Sequence, residues 1–214
     1  MMIKNKQAVL WPVVISIAIL FSYCNEKQAD TSEFTPDDEY VSALLLERAQ
    51  KDSSMQFEPY SPFNRDNKVK FTPLKYFGPT TEFIFKSKLY MYDSQDTVDV
   101  YGTKGELRRV IKLGYVKLNY KDVEHRINVY KAFSRNGATY YSLWFTDKST
   151  GEETYGVGRY LDFELNEDKD YIYTIDFNKA YNPYCAYSSA FTCPIPREED
   201  YIDMKILAGE KNFH

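Results

Sequence analysis

The sequence predicts a mainly β domain, an antiparallel meandering barrel or sandwich with one N-terminal α-helix. Three observations predict it. Aromatic residues make up 17% of the chain, with 20 Tyr and 14 Phe, and tyrosine suits the half-buried surface of a sheet. Short runs rich in Val, Ile, Tyr, Phe and Thr alternate with turn residues, at Gly78-Pro79, Gly102 to Gly105, Asn136-Gly137, Ser149 to Gly151 and Asn166 to Asp168. Strands at that spacing, joined by tight turns, make a meander. One stretch ahead of them carries helical signals instead.

That stretch is 36–51. Thr35 can cap it, Pro36 fits the first helical position, and Asp37, Asp38 and Glu39 favour the positive end of the helix dipole. Val41, Leu44, Leu45 and Ala49 fall on one face. Pro59, Pro62 and the run N-R-D-N make 55–67 a loop. Strands are then expected at 69–77, 82–92, 97–101, 106–113, 115–120, 123–133, 139–146, 155–165, 170–177 and 201–207. Val98 and Val100, and then Val116, Leu118 and Tyr120, are placed on one side of the sheet by alternation. No internal repeat or second domain is found, so 35–214 reads as a single β-rich domain.

The N-terminal side reads as an export signal. Residues 1–6 are short and basic, 8–23 are almost wholly apolar, and the chain turns polar after Cys24. Sixteen residues rise roughly 24 Å as a helix, short of a ~30 Å hydrocarbon core. The segment 1–23 resembles a bacterial lipoprotein signal peptide, in which the first residue after cleavage is a lipid-modified cysteine, here Cys24. Tyr23 stands where that pattern has a small residue. An uncleaved anchor and a cleaved soluble protein are the alternatives. Residues 24–34 read as a polar tether. The expectation is an exported, membrane-anchored lipoprotein of the cell envelope, facing periplasm or exterior.

The formal net charge is −4, with Lys+Arg 27 and Asp+Glu 31. A mildly acidic chain without a run of one sign lacks the footprint of a nucleic-acid partner. The only histidines, His125 and His214, argue against a multi-histidine metal site. No cofactor is assigned.

Chemistry concentrates in 149–196. Arg159 lies in T-Y-G-V-G-R-Y, where Gly156 and Gly158 let a ligand or another strand approach the backbone. Its guanidinium can hold a carboxylate or phosphate, or can pair structurally with Asp176 or Glu153. Asp176 and Asn178, and Tyr181 and Asn182, suit side chain-to-backbone turn bonds. As catalysts, Asp176 would be the acid–base and Tyr181 or Tyr187 a proton donor. Glu153, Tyr155, Arg159, Tyr160, Asp176, Asn178, Tyr181, Asn182 and Tyr187 form the candidate ligand-binding or structural cluster. Cys185 and Cys193, eight apart, are expected to form a disulfide in an oxidising compartment. The alternatives are buried thiols or a reactive pair.

The blocks G-E-E-T-Y-G-V-G-R-Y-L-D (151–162), D-F-N-K-A-Y-N-P-Y-C-A-Y (176–187) and T-C-P-I-P (192–196) resemble domain-of-unknown-function family 1684. L-K-Y-F-G-P (74–79) and I-L-A-G-E (206–210) fit its start and end, and the preceding helix and loop fit as well. The resemblance implies a shared fold and a shared C-terminal feature, and no reaction. Three functional readings follow. The first is a lipid-anchored binding module closing a pocket at one end of the barrel or sandwich over a small anionic or aromatic ligand. The second is a hydrolase or redox enzyme using Asp176, Arg159 and the Cys185/Cys193 pair. The third is a structural envelope protein. Whether the chain is an enzyme stays open at this point.

Overall fold

The computed structural model describes residues 37–65, 69–134 and 137–214. The expected signal peptide, Cys24, the tether, Thr35, Pro36 and Asn136 lie outside the described residues. Among the described residues no helix is long and apolar enough to cross a membrane.

Helix α1 spans Asp38–Phe57. Asp37, expected inside the first turn, is the cap, and its carboxylate accepts from the Tyr40 amide at 2.7 Å. The helix runs past the expected end at Lys51 because 52–57 contains no breaker. It stops at Glu58, the residue before Pro59, where a proline disfavours helical backbone. The docked face also differs from expectation. Leu44 and Met55 are buried, whereas Leu45 is 51% exposed and Ala49 is exposed. Two buried anchors contribute ~2–3 kcal/mol each. The space between them is filled by Arg48, which donates to the carbonyls of Phe77 at 2.9 Å and Asn178 at 3.2 Å. A cation thus sits where periodicity suggested apolar contact, because it satisfies two backbone acceptors.

The nine described strands are β1 Ile84–Ser87, β2 Tyr90–Met91, β3 Thr97–Tyr101, β4 Leu107–Tyr120, β5 Val123–Phe133, β6 Thr139–Asp147, β7 Arg159–Phe163, β8 Tyr173–Asp176 and β9 Tyr201–Ile202. β2, β4, β5, β6 and β7 form a curled antiparallel sheet in that order, with β3 also on β4 and β9 parallel to β6. β1 and β8 pair separately. The runs expected at 106–113 and 115–120 are one strand. Residues 69–77 form no strand, only a bridge from Tyr76 to Glu210, and Tyr155 to Gly158 is a turn closed by the Gly158 amide on the Tyr155 carbonyl at 3.0 Å. The β4–β5 hairpin turns on Lys121 and Asp122, both at positive φ (49° and 64°), which matches the twist of a two-residue hairpin.

A bulge in β4 decides which side chains share a layer. Lys112 faces Tyr130 and Gly114 faces Val129, so Leu113 is an extra residue. The alternation flips there. Val110 joins Val100, Tyr130, Trp144 and Tyr160 on the outer face, whereas Val116 and Leu118 join Ile127, Phe145 and Leu161 on the inner face. Val98 and Val100 are therefore not on the side of Val116, Leu118 and Tyr120, as simple alternation had placed them. The inner face is closed by β1, β8, Phe177 and the segment 202–208. A third cluster joins Met55 of α1 to Phe63, Tyr187 and Phe213.

Candidate functional site

Arg159 begins β7 and its side chain points into the domain, where the residue is 1% exposed. Nη2 donates to Asp147 Oδ2 at 2.8 Å and to the Ile206 carbonyl at 2.9 Å. Nη1 donates to the carbonyls of Ala208 and Glu210. The guanidinium lies 5.2 Å from the Phe145 ring centroid. Its carboxylate partner is Asp147, not Asp176 or Glu153; Glu153 is instead paired with Lys205 at 2.6 Å. A cation so enclosed has no face left for a ligand, and a catalytic set containing Arg159 is not assembled. Gly158 explains the local backbone. At φ 111°, a Cβ there would meet the Phe145 carbonyl oxygen at 2.6 Å, so the approach it permits is that of a neighbouring strand. Gly156 has only Gly151 within reach, at 3.8 Å.

The second block is also largely internal. Asp176 caps the 3-10 turn Phe177–Lys179, its Oδ1 accepting from the Asn178 amide and side chain at 2.9 Å each. Its Oδ2 accepts from the Tyr40 hydroxyl at 2.8 Å. Asn178 exchanges bonds with the Thr80 backbone at 3.0 and 2.6 Å. Asn182 and Tyr187 converge on Glu210, a residue 1% exposed. Glu210 Oε1 also takes Lys51 Nζ at 2.5 Å. Asp147 and Glu210 were not singled out by sequence reasoning. The one hint is Gly209, at φ 76°, where a Cβ would meet the Ala180 carbonyl oxygen at 2.5 Å, so that only glycine delivers Glu210 to its partners.

Glu153 is part-exposed at the surface, and three others of the nine share a cleft. Tyr160, Asp176 and Tyr181 line a cleft of about 750 Å³ on the outer face of the sheet, between α1 and the segment 181–194. Tyr140, Tyr184, Phe191 and Pro194 supply further apolar wall, and Arg108, Lys51 and Lys179 supply cations. Each cation already has a carboxylate: Glu106 at 2.9 Å, Glu210 at 2.5 Å and Glu47 at 2.7 Å. Burial pushes the phenols of Tyr160 and Tyr181 far above their usual range, and Asp162, which accepts the Tyr181 hydroxyl at 2.7 Å, raises Tyr181 further. Tyr160 and Tyr181 therefore present neutral rings and hydroxyls.

Cys193 also lines the cleft. The disulfide expected between it and Cys185 is absent, and both are free thiols. The Cys185 amide donates to Cys193 Sγ at 3.3 Å, so that sulfur is held against the backbone. Tyr155 reaches Cys185 Sγ with its hydroxyl at 3.8 Å.

Comparison with known proteins agrees with the fold and leaves the activity unassigned. An uncharacterized protein from gene locus rrnAC0354 of Haloarcula marismortui, solved by solution NMR, is similar at a TM-score of 0.60 and 26% identity. The match covers 81% of this chain and 94% of that one. No match is found among curated proteins. The model of a protein family of unknown function, DUF1684, matches residues 69–211 and leaves helix α1 and the loop after it outside. That match holds all three motif blocks, the Arg159–Asp147 pair and the walls of the cleft other than α1, and the chain belongs to the DUF1684 family.

Proposed function

We propose that the protein is a binding module held at the cell envelope by lipid on Cys24, and that its cleft takes a small, uncharged, ring-bearing ligand. The observation that carries this reading is the pairing of every cation in the cleft wall with a carboxylate, among aromatic side chains. An anionic ligand would have to displace a carboxylate from Arg108, Lys51 or Lys179. A flat neutral ligand meets rings at no such cost, and aromatic contacts add ~0.5–1.5 kcal/mol each beyond area burial. A volume of about 750 Å³ is in the range of small-molecule sites. The export signal and lipid anchor rest on the sequence pattern ending at Cys24.

The test uses two probes that share their rings and differ in charge. N-phenyl-1-naphthylamine is expected to bind saturably with a rise in fluorescence. 8-Anilinonaphthalene-1-sulfonate is expected to bind more weakly. Phe191 and Tyr184 meet edge-on at 5.1 Å in the wall. Replacing both by Ala should weaken the neutral probe by about tenfold or more, some 1.4 kcal/mol, with melting temperature nearly unchanged. Absence of saturable binding, preference for the sulfonate, or indifference to the double substitution would reject this ligand class.

A further inference from the structure

The segment 185–193 forms part of the cleft wall and carries a sulfur at each end. Each end is fixed separately. Cys185 sits in the 3-10 turn Tyr184–Ala186, closed by the Ala186 amide on the Pro183 carbonyl at 2.8 Å. Cys193 is fastened to the end of β3. Its amide donates to the Thr103 hydroxyl at 3.3 Å, its carbonyl accepts from the Thr103 amide at 3.0 Å, and Gly102 bridges to Pro194. The Cys193 sulfur lies 3.3 Å from the Cys185 amide nitrogen. A cysteine's own sulfur lies ~3–4 Å from its own amide nitrogen by covalent geometry. Both sulfurs thus lie near one amide nitrogen, and the two thiols are close enough to share a side-chain hydrogen bond.

The two thiols are not equivalent. Cys185 is partly exposed, whereas Cys193 is 8% exposed. We propose that Cys185 and Cys193 are a peroxide-reactive dithiol site, with Cys185 as the attacking sulfur and Cys193 as the resolving one. In the first step the Cys185 thiolate bonds to one oxygen of a hydroperoxide and the O–O bond breaks. The departing alkoxide takes a proton and leaves as the alcohol, or as water from hydrogen peroxide, and Cys185 becomes the sulfenic acid. Cys193 sulfur then attacks Cys185 sulfur, the S–O bond breaks, and hydroxide leaves as water with the proton of Cys193. The pair loses two electrons and two protons, and the hydroperoxide is reduced by two electrons. Hydrogen bonding from Cys193, with support from Tyr155 and Thr103, lowers the Cys185 thiol to about 7 against the opposing effect of burial. The same contact, together with burial, raises Cys193, and Arg108 opposes that rise. Attack from Cys185 agrees with this order, because the thiolate is the nucleophile.

The experiment treats reduced full-length protein with one equivalent of hydrogen peroxide and maps peptides, so that Cys24 is read separately. The expected result is joint loss of the Cys185 and Cys193 thiols, recovery of both with dithiothreitol, and a cross-linked peptide pair lighter by two hydrogen atoms. Cys193→Ser should stop at a sulfenic acid that dimedone labels on Cys185. Cys185→Ser should leave Cys193 unreacted at the same dose, with the melting temperature confirming that both variants fold. Iodoacetamide should label Cys185 at a rate half-maximal near pH 7 in the original protein. Two intact thiols after excess peroxide, or dimedone capture at Cys193 in Cys185→Ser at the original rate, would overturn the assignment.

Discussion

Arg159 has a side chain wholly out of water, and its four acceptors are one carboxylate oxygen and three main-chain carbonyls. Breaking a buried pair from one side leaves the other charge uncompensated, at a cost of ~3–5 kcal/mol. Arg159→Ala is therefore expected to lower unfolding free energy by about that much, read from urea midpoints, and to leave Asp147 as the stranded charge. Removing both partners in Arg159→Met with Asp147→Leu should recover part of the loss. An unchanged midpoint in Arg159→Ala would contradict the enclosed geometry. The arginine was legible in the sequence as a lone cation between glycines and tyrosines. Its partner was not. Asp147 lies 12 residues back across a turn, and the carbonyls carry no side-chain signature, since every residue has one.

At the level of elements, the turn between β3 and β4 is tied to the far segment 192–194 through Glu106. The Thr192 hydroxyl, and then Arg108, hold the Glu106 carboxyl down to about 2. The folded-state value lies below the unfolded one. Its stabilising contribution is complete above the usual value of 4.5 and is lost as pH falls towards 2. Glu106→Gln should lower stability at neutral pH and remove this part of the loss on acidification, so that the two proteins converge towards pH 2. Equal acid limbs in the two proteins would count against the tie. Most strands were legible because glycine, proline and asparagine punctuate them. The bulge at Leu113 was not, because it inserts one residue into an unbroken run and reverses the faces without any composition change. The helix end at Glu58 was legible in principle, since Pro59 marks it more firmly than the polar residues after Lys51.

Across the whole molecule, the cleft draws its wall from α1, β4, β6, β7, β8 and the 181–194 segment. No local pattern could announce a surface assembled from such distant stretches, although Tyr160, Asp176 and Tyr181 were picked out individually. The envelope location is tested apart from the cleft. Labelled palmitate is expected to enter the full chain expressed in a bacterium and to be absent from Cys24→Ser, and label in both would reject lipid on Cys24. The main-chain acceptors of Arg159 also bear on the order of events during synthesis. Ala208 comes 49 positions after the arginine. At ~5–20 residues per second, the cation is made several seconds before the oxygens that will surround it. In that interval Asp147, made 12 positions earlier, is the one partner already present, and the acceptors on Ile206, Ala208 and Glu210 are still to come.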